Sequence, residues 1–417
     1  MGFERICVVG LGYIGLPTAA VFASRGISVL GVDVAQHVVD TINRGEIHII
    51  EPDLDAVVHH VVRVGRLRAA TAPEPADAFL IAVPTPFTGT GHQPDLRYVE
   101  SAARSIAPVL KKGDLVVLES TSPVGATEQM ARWLREERLD LAVPLATGDD
   151  ADIYVAHCPE RVLPGHVLRE LIENDRVIGG ITPACSERAA ALYKTFVEGE
   201  CVLTTARTAE MAKLSENSFR DVNIAFANEL SLVCAKQGID VWELIALANR
   251  HPRVNILSPG PGVGGHCIAV DPWFIVAGSP NEAKLIRTAR EVNDGKPGWV
   301  IEQVNGAVEA AARRKGIIVT AVRILCYGLA FKADIDDLRE SPAVAIVQRL
   351  AAQYPGQVSV IEPNIAALPN GLDGVTLVGT CERDADVHVM LVDHTPFRDG
   401  SVPEGEVVDT RGVWRKA

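Results

Sequence analysis

The sequence predicts an α/β protein built from two doubly wound domains joined by a long helix and a central helical region. Three observations carry this reading. Short apolar runs alternate with helical patterns over the first half of the chain, Thr208 to Gln237 lacks both Pro and Gly, and strand-like runs return after about residue 321. Strands of a parallel sheet covered on both faces read as continuous apolar runs between helices. A length of 417 residues, 47% of them hydrophobic and 22% charged, suffices for two or three cores.

Arg5 to Val9 reads as the first buried strand. GLGYIG follows, with Gly10, Gly12 and Gly15, and then a helix through Ala23, a second strand from Val29 to Val32, and Asp33. A strand, a GxGxxG turn, a helix and an acid 18 residues beyond the third glycine form the opening of a Rossmann-like dinucleotide site, in which the glycines admit the pyrophosphate. Asp33 at that place accepts from the adenosine ribose hydroxyls and repels a 2′-phosphate, so NAD is expected rather than NADP. Further strands are expected at Phe79 to Val83, Leu115 to Ser120, Ile153 to His157 and Arg176 to Gly180, all in one parallel sheet. VPTP (83 to 86), STSPVG (120 to 125) and CPERVLPG (158 to 165) follow three of these directly. Ligands gather beyond the carboxyl ends of such strands, so the three loops should surround one crevice.

The proline- and glycine-free run from Thr208 to Gln237 would span roughly 45 Å as a helix, a length suited to a connector and a dimer interface. Helices are also expected at Trp242 to Arg250, Glu282 to Lys315 and Pro342 to Gln353. A second α/β unit has strands expected at Arg323 to Tyr327, Val358 to Ile361, Val387 to Val392 and Glu406 to Val408, and lacks a GxGxxG. The expected domains are 1–205, 206–316 and 317–417.

A formal net charge of -13 without a long basic block argues against nucleic acid as a partner. Without an apolar run of about 18 residues or a signal-peptide pattern, the expectation is a cytoplasmic protein with no membrane partner. Eight scattered cysteines show no CxxC pair and no metal spacing, so neither disulfides nor a metal is expected.

GLGYIG, STSPVG and CPERVLPG occur together with EMAKLSEN (210 to 217), PGVGGHC (261 to 267) and AFKADIDDLRESPA (330 to 343). In this combination, over nearly its whole length, the chain resembles the UDP-glucose/GDP-mannose dehydrogenase family. The resemblance implies a four-electron oxidation of a nucleotide-sugar primary alcohol to a carboxylate with two NAD, through a cysteine-bound thiohemiacetal and thioester. HCIAVDPWF, with Val270 where the UDP-glucose branch carries a lysine, and GPGVGG resemble the N-acetylhexosamine branch. That implies UDP-N-acetyl-D-mannosamine as substrate, with UDP-N-acetyl-D-glucosamine or UDP-glucose as alternatives. A β-hydroxyacid dehydrogenase needs neither Cys267 nor residues 321 to 417. A non-catalytic regulator that binds NAD or a nucleotide sugar has no need of Lys213, Asn217, Cys267 and Asp271 together.

Lys213 and Asn217 lie four apart on one helix face, and Arg220 continues the stripe. Such a face can be solvated, or it can stabilise an alkoxide or a thioester oxyanion. The resemblance makes Lys213 and Asn217 the catalytic lysine and asparagine, Cys267 the nucleophile and Asp271 a partner in thioester hydrolysis. Asp271 precedes Pro272 and is also expected to cap a helix, and the glycines before Cys267 should let the backbone approach a ligand. Glu160 and Thr121 complete the catalytic set by ordering water; where the UDP-glucose branch has a second acid, this chain has Pro164. The cofactor is assigned to Gly10, Gly12, Tyr13, Ile14, Gly15, Asp33, Thr85, Thr121 and Arg176. The UDP-sugar is assigned to Arg161, Val162, Lys213, Asn217, Arg220, His251, Arg253, Gly264, Phe331, Lys332 and Arg339. The resemblance further implies a homodimer in which Arg253 reaches the neighbouring site, with three domains closing over one substrate.

Overall fold

The computed structural model describes residues 2–89, 91–163, 165–265, 267–382, 384–398 and 401–414. Two compact units result, Met1–Glu216 and Asn217–Ala417. Among the described residues, no helix is long and apolar enough to cross a membrane.

The first unit holds an eight-stranded sheet: β1 (Arg5–Val9), β2 (Ser28–Val32), β3 (Leu67–Ala70), β4 (Ala78–Ile81), β5 (Leu115–Leu118), β6 (Tyr154–His157), β7 (Arg176–Gly180) and β8 (Cys201–Thr205). Their spatial order is β8-β7-β6-β5-β4-β1-β2-β3. Alternate residues of β1 serve two cores. Ile6 and Val8 join Leu16 and Phe22, whereas Cys7 and Val9 join Val99 and Met130 on the other face. Burial on both sides is why β1 reads as an unbroken apolar run. The order reverses between β1 and β4, the kind of switch point at which open α/β sheets bind ligands.

One expectation fails here: β7 runs antiparallel to β6, with Ala156 opposite Gly180 and His157 opposite Gly179. A parallel neighbour requires a crossover long enough to return the chain to the far end of the sheet. Much of this connection is taken up by the loop Cys158 to His166, and the remaining helix, Val167–Glu173, spans only about 10 Å. The reversal carries the first residue of β7, Arg176, past the carboxyl end of β6. Neither β3 nor β8 was evident in the sequence. Both are edge strands, with only partial burial and no continuous apolar run.

The second unit contains an all-parallel sheet of β9 (Ile324–Tyr327), β10 (Val358–Ile361), β11 (Thr376–Leu377), β12 (Val387–Met390) and β13 (Glu406–Asp409), in the order β11-β10-β9-β12-β13. The helix Lys284–Lys315 contributes Val300, Val304 and Val308 to the same core as Ile324, Val360 and Val389. That shared core puts the expected central and C-terminal segments into one compact unit. The long helix spans Ala206–Gln237, about 48 Å at 1.5 Å per residue, and the boundary between the two compact units falls within it.

Candidate active site

In the first unit the glycine turn after β1 is built by close backbone approach. Gly10 has φ +91°, and a Cβ there would lie 2.6 Å from the Ala82 carbonyl oxygen; one on Gly15 would lie 1.8 Å from the Gly10 oxygen. Gly12 differs, because a Cβ on it would meet nothing within 4 Å. Two glycines thus fold the turn and the third faces open space, the cradle a pyrophosphate needs at the start of the helix Gly15–Ser24. Ile14 takes the cap position of that helix, and Tyr13 beside it is half-buried. Asp33 follows β2, where its Oδ2 accepts from the Leu11 N–H at 3.1 Å and its Oδ1 from the Ala35 N–H at 2.9 Å. The carboxylate is therefore fixed beside the turn, and the residues present fit a dinucleotide.

The loops after β4 and β5 are tied together. Thr85 Oγ1 donates to the Thr121 carbonyl at 2.5 Å, and Ser120 Oγ donates to that of Val83 at 2.6 Å. Beyond β6, Glu160 is 9% exposed and Lys213 is 6% exposed. Lys213 Nζ meets Glu160 Oε1 at 3.3 Å, while Glu160 Oε2 accepts from the Val162 N–H at 2.9 Å. The lysine is not a solvated helix residue, and its buried ammonium is matched by a buried carboxylate. Arg161 pairs with Glu216 at 2.8 Å and donates to the Asp175 carbonyl. Arg176 is 2% exposed, its Nη2 donates to the Leu171 carbonyl, and its buried Nε and Nη1 have no hydrogen-bond partner. Its neighbours include Glu119, whose burial pushes its carboxyl up to about 7 and which accepts from Tyr193 Oη at 2.6 Å. Pro164 lies outside the described residues.

Two buried carboxylates that hold these loops escaped the sequence reading. Glu210, three residues before Lys213, accepts from the Gly125 and Thr127 N–H groups at 2.6 and 2.8 Å and from Thr127 Oγ1 at 2.7 Å. It anchors STSPVG to the long helix, and its place inside EMAKLSEN was its only signal. Glu51 accepts from the Gly165 and Val167 N–H groups at 3.0 and 2.8 Å, fastening the loop after β6. Nothing in its sequence surroundings marks it.

In the second unit, Asn217 Nδ2 donates to Asp271 Oδ2 at 2.5 Å, and Asp271 is 3% exposed. The capping expectation is corrected: Val270 takes the cap position and Asp271 is the first residue of the helix Asp271–Gly278, with Pro272 next. The Cys267 carbonyl accepts from the Val270 and Asp271 N–H groups at 3.1 and 2.8 Å, a turn that places thiol and carboxylate on one short stretch. All eight cysteines are described and none forms a disulfide. Burial pushes the thiols of Cys7, Cys158 and Cys326 up to about 12, leaving them protonated, whereas Cys267 is exposed.

The glycines before Cys267 allow a close approach within the chain itself. A Cβ on Gly264 would lie 2.5 Å from the Glu340 carbonyl oxygen and 2.9 Å from Phe331 Cβ, and Gly265, at φ +83°, packs on the Phe331 ring. The Gly265 N–H donates to the Arg339 carbonyl at 3.2 Å. These glycines let the cysteine segment approach residues 331 to 342 of the chain itself. Arg339 is exposed and pairs with Asp337 at 2.6 Å; Lys332, Arg220, His251 and Arg253 are exposed too, with the Arg253 N–H donating to His251 Nδ1. Exposure leaves the Arg220, Arg253 and Lys332 cations open to an anionic ligand.

Family models match most of the chain: the NAD binding domain of the UDP-glucose/GDP-mannose dehydrogenase family at residues 4–197, its central domain at 207–295 and its UDP binding domain at 325–416. The chain belongs to the UDP-glucose/GDP-mannose dehydrogenase family. It is therefore an NAD-dependent nucleotide-sugar dehydrogenase. It is 65% identical to a UDP-N-acetyl-D-mannosamine dehydrogenase of Salmonella typhi, over 100% of both chains. It is 63% identical to an NDP-N-acetyl-D-galactosaminuronic acid dehydrogenase of Ralstonia nicotianae, over 99% of this chain and 96% of that one. Among solved structures, a UDP-D-ManNAc dehydrogenase from Pyrococcus horikoshii matches with a TM-score of 0.87 and 38% identity, covering 99% of this chain and 96% of that one.

Proposed function

We propose that this dehydrogenase oxidises the C6 primary alcohol of UDP-N-acetyl-D-mannosamine to the carboxylate, giving UDP-N-acetyl-D-mannosaminuronate. The observation that carries the substrate is the 65% identity, end to end, with a UDP-N-acetyl-D-mannosamine dehydrogenase. A second reading, an N-acetylgalactosamine substrate, draws on the 63% identity with the Ralstonia protein.

In the proposed sequence, NAD supplies the hydride acceptor for each of two oxidations. The substrate alcohol gives up its hydride and its hydroxyl proton, leaving an aldehyde. The Cys267 thiolate adds to the aldehyde carbon, and loss of a second hydride from that carbon leaves a thioester. Water then adds to the thioester, the C–S bond breaks, and acid and thiol are released. Lys213 and Asn217 stabilise the oxyanions; Glu160, Thr121 and Asp271 order the water. The Asn217–Asp271 and Lys213–Glu160 hydrogen bonds support these roles, since each pairs a proposed oxyanion donor with a carboxylate that orients it.

The dinucleotide is assigned to Gly10, Gly12, Tyr13, Ile14, Gly15, Asp33, Thr85, Thr121 and Arg176. Arg161, Val162, Arg220, His251, Arg253, Gly264, Phe331, Lys332 and Arg339 are assigned to the UDP-sugar. Segments 1–205, 206–316 and 317–417 would serve respectively the cofactor, the chemistry and the UDP. A homodimer, with Arg253 serving the neighbouring site, is part of the proposal. It is supported by Phe219, Phe226 and Val233, exposed at seven-residue intervals along the long helix. A cytoplasmic location suits a nucleophilic thiol that must stay reduced.

The test is incubation with NAD and UDP-linked N-acetylmannosamine, N-acetylglucosamine, N-acetylgalactosamine and glucose, counting NADH formed per sugar consumed. Two NADH per N-acetylmannosamine, with the others slower, supports the proposal; a ratio of one, or preference for another sugar, refutes it. Cys267→Ser should bind substrate and fail to release acid.

A further inference from the structure

A cavity of about 330 Å³ lies within the unit Asn217–Ala417, and neither Asn217, Cys267 nor Asp271 lines it. Three tryptophans, Trp242, Trp299 and Trp414, contribute its walls. Lys296, on the helix Lys284–Lys315, also lines it and is 2% exposed. Its ammonium donates to Ser231 Oγ and sits 4.1 Å from the centroid of the Trp299 ring. Among the described residues no salt bridge to it is found, and burial alone pulls its pKa down to about 8. Trp414 is 6% exposed, and its indole Nε1 is buried without a hydrogen-bond partner.

Other polar groups around the cavity are already engaged. Asp240 Oδ1 accepts from the Trp242 and Glu243 N–H groups. Asp409 accepts from the N–H groups of Arg411, Gly412 and Trp414. Ser231 Oγ accepts from Lys296 while donating to the Asn228 carbonyl. The ammonium keeps donor capacity and the Trp414 indole N–H has no acceptor, while the Asp240 and Asp409 carboxylates that also line the cavity are turned to backbone N–H groups. A buried cation without a counter-ion and a buried N–H without an acceptor each oppose folding, and an acceptor-rich anion relieves such a deficit. The indole walls favour a flat body, and the volume falls in the range of about 300–1,000 Å³ usual for small-molecule sites.

We propose that this cavity is a binding site for a small planar anion, an aromatic or heteroaromatic ring bearing a carboxylate or phosphate. Lys296 and Trp414 Nε1 hold the anionic group, and the ring packs on the tryptophan walls. The site is separate from the chemistry assigned to Cys267, and its existence does not depend on which sugar is oxidised.

The test titrates the full-length protein, with NAD and UDP present at saturation, against phenyl phosphate, benzoate, benzyl alcohol and inorganic phosphate, read by tryptophan fluorescence and calorimetry. Phenyl phosphate and benzoate should bind saturably, while the neutral alcohol and the ringless anion do not. Lys296→Met should weaken binding about tenfold, and Trp414→Phe, which keeps a ring and removes the N–H, about threefold. Melting temperatures of the variants separate lost binding from lost fold. Absence of saturable binding at millimolar probe, equal binding of benzyl alcohol, or affinity unchanged in the folded variants would overturn the proposal. If Lys296→Met does not fold, the Trp414→Phe titration decides alone.

Discussion

Asn228→Ala should destabilise the second unit and slow turnover without disturbing NAD binding. Asn228 is fully buried, with Nδ2 donating to Asn293 Oδ1 at 2.9 Å and Oδ1 accepting from the Gly260 N–H at 2.9 Å. Asn293 in turn donates to Asp221, which also receives Arg290 at 2.6 Å. This buried chain joins the long helix, the helix Lys284–Lys315 and the segment leading to Cys267. Alanine leaves the Gly260 N–H and Asn293 Oδ1 without partners in the interior. At about 1–3 kcal/mol for each of two unsatisfied groups, the loss is about 2–6 kcal/mol, centred near about 4. For a unit of this size that lowers its melting temperature by roughly 8–16 °C. Gly260 also introduces PGVGGHC, so a loosened segment should displace the thiol and lower kcat about tenfold, while KM for NAD stays near the parent value because the dinucleotide turn belongs to the other unit. Thermal melts and steady-state kinetics at 25 °C measure both effects. A melting temperature within about 1 °C of the parent, or a clear melting loss with kcat intact, would show that this network does not position the cysteine segment.

Three further outcomes follow from the geometry. Gly264→Ala puts a Cβ 2.5 Å from the Glu340 carbonyl and should cost about 2 kcal/mol or more and depress kcat, read by melting and NADH production; parent-like behaviour would deny the close approach. Gly15→Ala places a Cβ 1.8 Å from the Gly10 oxygen and should weaken NAD about 100-fold while leaving UDP affinity intact, measured by titrating each ligand separately. His157 is fully buried with neither ring nitrogen partnered, and burial pulls its pKa down to about 3. The folded state keeps the ring neutral while the unfolded chain takes up a proton below about 6.5, so this contribution is complete above that pH and is lost as pH falls toward 3. About 2 kcal/mol should disappear between pH 7.5 and 5, and His157→Phe should narrow the difference between the two melting temperatures; an unchanged difference would mean the ring is protonated or solvated in the fold.

What the sequence disclosed was the part of the site that local backbone geometry dictates. Gly10, Gly15 and Asp33 are legible because a strand-to-helix turn can be satisfied by few residue types, and those types sit at fixed offsets. Long-range polar contacts obey no such offsets. Lys213 on its own reads as a solvated helix residue; its ammonium is buried only because Glu160, distant in sequence and beyond another strand, supplies the opposite charge. Glu51 and Glu210 were invisible for the same reason, since a glutamate that receives backbone N–H groups from a distant loop looks like any surface glutamate until that loop is in place. The direction of β7 depended on how much of its connection the CPERVLPG loop consumed, a matter of length and anchoring rather than of apolar pattern. The glycines before Cys267 mark the boundary between the two kinds of information. Their type signalled a close approach, but only the fold shows that Phe331 and Glu340 form part of the approaching surface. It follows that substitutions at 331 to 342 should be felt at Cys267 through backbone position, even where the substituted side chain touches no substrate.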